Sequence, residues 1–336
     1  MRKGTPPLLA AGAVLLTMGI AAVNLQPAAY SSAASPTLDP DPLPTTGEVL
    51  PVPGPTGTLG PEPSPIPEPA LTAVPSDPGL PMPLDPYMTS MADIHTIDLA
   101  KDAATATCMQ SLGFSAWTAG VVRNWNPEDY VEADLIEPLD ATAASRSGYP
   151  RPALDPAVAA AAAEPADQRA PTAEEMAAYD GTAATTGPGE SIPQGGCATS
   201  GETSVLGQDH ALAADPRLLA DDASFLALEH TAVARALNQW VSCMTAKGYA
   251  YDSPMSARAD LRWAGREPGV AATQAEKQVA ADDAACADGA GLLPTYRAAK
   301  RAYEEVMVRD QRQALTESLS VFTTWVRRAK AVLAGQ

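Results

Sequence analysis

Of the 33 prolines in this 336-residue chain, 17 lie between Pro36 and Pro86, and that placement limits how much of it can build a core. Each proline removes an amide donor and fixes φ. A run such as Pro61-Glu62-Pro63-Ser64-Pro65-Ile66-Pro67-Glu68-Pro69 has little apolar mass to bury, and stays extended at up to about 3.1 Å per residue. No Lys or Arg occurs between Lys3 and Lys101. Residues 35–90 therefore read as a disordered Pro-rich linker, and the folded body is expected over 91–336.

Ahead of the linker, Arg2 and Lys3 precede an uncharged apolar run from Leu8 to Val23, then small residues through Ser35. This is the pattern of an export signal. Residues 1–34 are expected to act as a signal peptide, or as a signal anchor if uncleaved. Ser32-Ala33-Ala34 offers small residues for cleavage, yet stands well beyond the apolar run. The run of 16 residues is just short of the ~17–25 that span a bilayer, and taking in Leu25 would lengthen it. Both outcomes stay open. Either places the body outside the cytoplasm, secreted or held at the outer face of the membrane, with membrane contact only through the uncleaved segment.

Four cysteines fit that compartment. Cys108, Cys197, Cys243 and Cys286 form no C-x-x-C pair and are separated by 89, 46 and 43 residues. Metal-binding cysteines come in short-spaced pairs, because two must reach one ion from a single turn. His95, His210 and His230 show no ligand spacing either. Disulfides are expected, and no metal or other cofactor.

Apolar spacing and caps predict an all-α body, a disulfide-stapled helical bundle. A first helix is expected from about Ile94 to Leu112, stopped at Gly113. Gly and Pro interrupt the pattern beyond it, so about 141–205 reads as a poorly ordered insert with a short helix near Glu174–Tyr179. Asp215-Pro216 caps one continuous helix to Lys247, with Phe225, Val233, Leu237, Trp240 and Met244 on a stripe. Ser253-Pro254 opens a helix to about Arg266, and Thr273-x-x-Glu276 forms a capping box before a helix through Cys286. Pro294 starts a last helix to Leu333, where Leu315, Leu319, Phe322, Val326, Ala329 and Leu333 form the seam of a packed bundle.

One motif occurs twice. Cys108-Met109-Gln110-Ser111-Leu112-Gly113-Phe114 and Cys243-Met244-Thr245-Ala246-Lys247-Gly248-Tyr249 share the pattern C-M-x-x-x-G-aromatic. In each, Cys sits near a helix end, Gly lets the chain turn, and the aromatic can fold back. A chance likeness of two helix ends is the plain account. A duplicated unit is the sharper one, with each such Cys bridged to the next along: Cys108 to Cys197 and Cys243 to Cys286. Two other pairings remain open, and both would tie the halves together.

The string Trp240-Val-Ser-Cys243-Met244-x-x-x-Gly248-Tyr249-x-Tyr251, with Pro254, Cys286, Gly291-Leu292 and Tyr296, resembles exported actinobacterial proteins of unknown function. So do the first C-M-x-x-x-G-Phe unit and Gly195-Gly196-Cys197 after Tyr179. The resemblance spans most of 95–330 and implies a helical four-cysteine body behind a signal or lipoprotein signal. This chain departs from it in lacking a lipid-acceptor Cys and in its longer proline tract. The resemblance implies no activity.

Charge excludes nucleic acid as a partner: 40 acidic residues against 22 basic ones give a net of -18, and phosphate binding needs a basic surface. The balance is uneven. Residues 294–336 carry eight basic and four acidic side chains, with Arg327, Arg328 and Lys330 clustered, whereas 35–293 carry 12 and 36. The simpler account docks the last helix on its own acidic body. The alternative offers a basic strip to an anionic envelope polymer or membrane surface.

No nucleophile elbow, phosphate loop, zinc-protease or dinucleotide signature is present. The adjacent acids Glu174-Glu175, Asp221-Asp222, Asp282-Asp283 and Glu304-Glu305 point about 100° apart on a helix and read as solvated surface. His230 reads as an exposed helix position. Trp240 and Trp325 read as core, and a sugar-stacking role for Trp117, Trp125 or Trp263 stays open. The expected function is a non-enzymatic exported binding or structural module. Its rivals are an extracytoplasmic hydrolase acting on envelope carbohydrate and an accessory subunit of an envelope transporter or secretion system.

Overall fold

One helix organises the others. α10 (Leu292–Ala334) has 43 residues, about 64 Å of helix, and bends at Gln311 where φ is −118° and ψ 17°. The computed structural model describes residues 66–71, 81–122, 125–126, 130, 134–151, 156–163, 169–208, 211–267 and 269–335. Residues 1–65, with the expected export signal and most of the linker, lie outside that set, as does His210.

The first half of α10 buries Leu292, Tyr296, Ala299 and Tyr303. It packs there against α6 (Pro216–Glu229), α7 (Thr231–Ala246) and α9 (Gln274–Gly289). Trp240, Met244, Trp263, Val279, Leu292 and Tyr296 belong to this core cluster, the largest among the described residues. The second half buries Leu315, Ser318, Phe322, Trp325 and Ala329. Its partners are α1 (Met91–Ser111) and α5 (Gly196–Leu206), through Ile97, Ala100 and Val205. Two helices on that side demand a wider face than a coiled-coil seam, so Ser318 and Trp325 join it while Val326 and Leu333 are only half-buried.

Ser90 caps α1, its hydroxyl accepting from Asp93 N–H at 3.1 Å. α1 and α5 meet backbone to backbone. A Cβ at Gly201 would stand 2.2 Å from Thr105 Oγ1, so this crossing requires glycine.

The described residues contain no β-strand, only an isolated bridge between Thr185 and Ser191, and the fold is all-α. The departures from the sequence reading have identifiable causes. α4 (Ala173–Asp180) is the short helix expected near Glu174–Tyr179, and α2 (Ala141–Ser147), α3 (Pro156–Ala163) and α5 occupy the rest of the stretch read as a poorly ordered insert. They are short and rich in Ala, Gly and Ser, so no apolar stripe announces them. Caps hold α2 and α4 instead, Asp140 on Ala143 N–H at 2.7 Å and a Thr172–Glu175 capping box.

The single helix expected from 216 to 247 is two. It breaks at His230, whose ψ of 133° leaves the helical region while its Nδ1 accepts from Ala232 N–H at 3.1 Å. Neither Gly nor Pro marks that break. Phe225, placed on the core stripe by a continuous helix, is 56% exposed. α8 (Pro254–Arg258) is shorter than expected, with turns running on through Gly265.

Thr273 caps α9 through Glu276 N–H, but the Glu276 side chain goes to Arg266 instead of closing the box. The body also starts before residue 91. Glu68–Leu71 and Pro81–Ser90 lie on it, with Leu84 fully buried beside Ala214 and Leu315.

Candidate functional site

The two C-M-x-x-x-G-aromatic strings build the same helix end. Leu112 N–H and Lys247 N–H each bond the cysteine carbonyl four residues back, both at 3.2 Å. Gly113 and Gly248 have φ of +95° and +91°, the left-handed turn that favours glycine. The aromatic amide then returns to the methionine carbonyl, Phe114 to Met109 at 3.1 Å and Tyr249 to Met244 at 3.0 Å. Both methionines are fully buried and both aromatics half-buried.

From these ends run two disulfides, Cys108–Cys197 and Cys243–Cys286, with Cα–Cα distances of 5.6 and 5.7 Å. No cysteine is left free. The likeness stops at the bridge. Cys197 is the second residue of α5, whereas Cys286 lies near the end of α9.

Chemistry-bearing side chains gather inside the body. In three of the four adjacent acid pairs, one member turns inward: Glu175, Asp283 and Glu304 are buried. Asp221 and Asp222 alone keep both members exposed. Asp283 accepts from Trp240 Nε1 at 2.8 Å and Tyr149 Oη at 3.0 Å. Both donors are neutral, so burial raises the Asp283 pKa.

Glu276, fully buried, pairs with Arg266 at 2.9 Å and accepts from Tyr149 N–H at 3.2 Å. Glu175 takes both Arg169 terminal nitrogens, at 2.8 and 2.6 Å, and the guanidinium holds its carboxyl down at about 2.

The densest group sits along α10. Asp134 accepts from Tyr296 Oη and pairs with Lys300 at 3.0 Å. Close by, Glu304 accepts from Leu84 N–H at 3.1 Å. Burial raises its pKa to about 7; Asp85 and Asp134 add to the rise, and Lys300 opposes it. A carboxyl poised there has the pKa of a general acid. Its seat under Leu84 is that of a structural group.

Sequence reasoning missed these acids, although one signal was available. Asp283 falls between Val279 and Cys286, and Glu304 between Tyr296 and Met307, on the apolar stripes of their helices.

His230 is buried, not exposed, and caps α7. All five tryptophans are buried, so none stands out as a stacking platform. Within the basic cluster, Arg328 donates to the Leu206 carbonyl at 3.1 Å and Lys330 pairs with Asp93 of α1 at 3.0 Å, while Arg327 is exposed. A shallow depression between the α8–α9 turns and α9 is lined by Leu261, Arg262, Trp263, Arg266, Val270 and Glu276.

Among the described residues no group of three or more His, Cys, Asp or Glu could hold a metal ion, and no helix is long and apolar enough to cross a membrane. No protein-family model, curated protein or solved structure matches the chain.

Proposed function

We propose that this chain is a non-enzymatic exported module that binds or braces a component of the cell envelope. One observation carries the reading: the buried carboxylates are engaged in holding the fold. Asp283 joins α7 to the loop at Tyr149, Glu276 anchors that loop through Arg266, Glu175 accepts from Thr172 N–H to close the capping box of α4, and Glu304 holds the segment at Leu84. Two disulfides suit an oxidising compartment, and so do the basic-apolar start of the chain and the likeness to exported actinobacterial four-cysteine proteins.

The test is fractionation of cells making the full chain, followed by alkylation of free thiols and co-sedimentation with isolated envelope. Export, four unreactive cysteines and retention on the envelope are expected. A chain that stays in the cytoplasm with alkylated thiols would overturn the reading.

The hydrolase alternative keeps one observation in its favour, a buried Glu304 whose pKa is raised to about 7, with Asp134, the acceptor for Tyr296, adding to the rise. Release of reducing ends from envelope carbohydrate, lost in Glu304→Gln, would establish it in place of the first reading.

A further inference from the structure

Glu68, Pro69 and Leu71 of the proline tract contact the junction of α6 and α7 as a bound peptide would. We propose that this junction is a recognition site for an extended, proline-flanked glutamate peptide, filled in cis by the chain's own Glu68–Leu71 and open in trans to the same segment of a second copy.

Three groups on the body read three features of the segment. The first amides of a helix have no partner within it and attract an anion. At the start of α7, Thr231 N–H points at Glu68 Oε1 at 3.4 Å, and the Thr231 hydroxyl donates to the same oxygen. That hydroxyl, with the Thr231 amide and Arg235 adding to it, holds the Glu68 carboxyl below its ordinary range.

Next, His230 reads a backbone carbonyl. Its Nδ1 is the acceptor for Ala232 N–H, so the ring hydrogen is assigned to Nε2, which donates to Pro69 O at 3.0 Å. The ring is buried and stands edge-on to Tyr303, which fixes its aim. Lastly, Leu71 packs on the edge of the largest core cluster. Carboxylate, carbonyl and aliphatic side chain are thus read at positions one, two and four.

Proline suits position two because it brings no amide that would need a partner, and it sets the extended form in advance. The Glu68 side chain is 41% exposed, so exchange needs no opening of the body. The chain carries the triplet twice, Pro61-Glu62-Pro63 and Pro67-Glu68-Pro69, and every further copy of the chain brings the same sequence. The site stands independently of the envelope reading, which could fail while the peptide still binds.

The test uses full chains and a labelled peptide of the sequence Ile66–Leu71, followed by fluorescence anisotropy. A Glu68→Ala/Pro69→Ala chain, its own segment weakened, should bind the peptide saturably. The wild-type chain should bind it roughly tenfold or more weakly, because a tethered competitor acts at millimolar effective concentration. Adding Thr231→Val to the open chain should weaken binding about tenfold, and a peptide with Gln in place of the glutamate should lose as much.

An equimolar mixture of the Glu68→Ala/Pro69→Ala chain with a Thr231→Val chain should sediment as a heterodimer that neither forms alone. Absence of peptide binding to the open chain, equal binding to wild type, or indifference to Thr231→Val would each overturn the site. Peptide binding without the heterodimer would overturn the second copy as occupant.

Discussion

The two stapled helix ends share a backbone and differ in what surrounds it. Cys108 and Cys243 stand in the same turn geometry, beside a buried methionine and before a left-handed glycine. The first end then sits in a small cluster of Met109, Leu112, Trp117, Tyr179 and Cys197, while the second belongs to the largest core cluster. The second is also tied by polar groups that the first lacks. Tyr249 Oη and Lys247 Nζ both bond Asp282 of α9, at 2.9 and 2.8 Å, where Phe114 has no hydroxyl. The motif is therefore a way to end a helix on a disulfide, and the tertiary setting decides how much depends on it.

Removing the bridges breaks the comparison most strongly. Chain entropy assigns about 4.6 kcal/mol to closing the 89-residue separation and about 4 kcal/mol to the 43-residue one. The thinner core around the first end should widen that gap. Cys108→Ala/Cys197→Ala is expected to lower the denaturant midpoint more than Cys243→Ala/Cys286→Ala. The reverse order would show that core size around a bridge does not set its worth.

Next come the methionines. Met109→Ala and Met244→Ala should each cost about 2–5 kcal/mol, with Met244 toward the top because its larger core collapses less easily into the cavity. Calorimetric unfolding of both variants checks the order. The glycines, by contrast, should behave alike. A Cβ at Gly113 or Gly248 meets nothing within 4 Å, so Ala costs only the strain of positive φ, about 1–2 kcal/mol at either end. Unequal losses would mean that the two turns are not equivalent. Tyr249→Phe gives the second end the first end's aromatic and should cost about 1 kcal/mol, while Phe114→Tyr should be near neutral.

The two ends also differ in the sign of their response to pH. Glu175, near the first end, has its pKa lowered from 4.5 to about 2, so its contribution is present above pH 4.5 and lost as pH falls toward 2. Asp283, near the second end, has its pKa raised from 3.8, so its contribution is complete below 3.8 and lost as pH rises through the folded value. Glu304 behaves like Asp283 over a higher window, complete below 4.5 and lost on rising through about 7. Hydrogen exchange near pH 7, 4.5 and 3 should show α4 loosening in acid while α9 and the contact at Leu84 tighten. Parallel changes in all three would refute these assignments.

Much of the fold was readable in advance where the signal was local. The end of α1 and the start of α10 fell within a few residues of their predicted places, because Gly113 and Pro294 mark them chemically. The repeated string pointed to the pairing of the cysteines that the structure shows, while two others stayed open in the sequence. The break at His230 was not readable, since a histidine serves as a cap only when its ring is turned back and its far side is occupied, here by Pro69. α5 was missed for a related reason. Its helix is held by close approach at Gly201 and by the bridge at Cys197, and neither leaves an apolar period.

Composition, caps and the repeated cysteine motif were enough to determine an all-helical body with two bridges, because each rests on backbone geometry within a few residues. Only the tertiary structure decided which acids are buried, where the proline tract ends and what His230 does. Those outcomes depend on partners far along the chain, Leu84 for Glu304, Tyr149 for Asp283 and Pro69 for His230. A carboxylate or an imidazole takes its character from the donors and the solvent around it, and no local pattern specifies those.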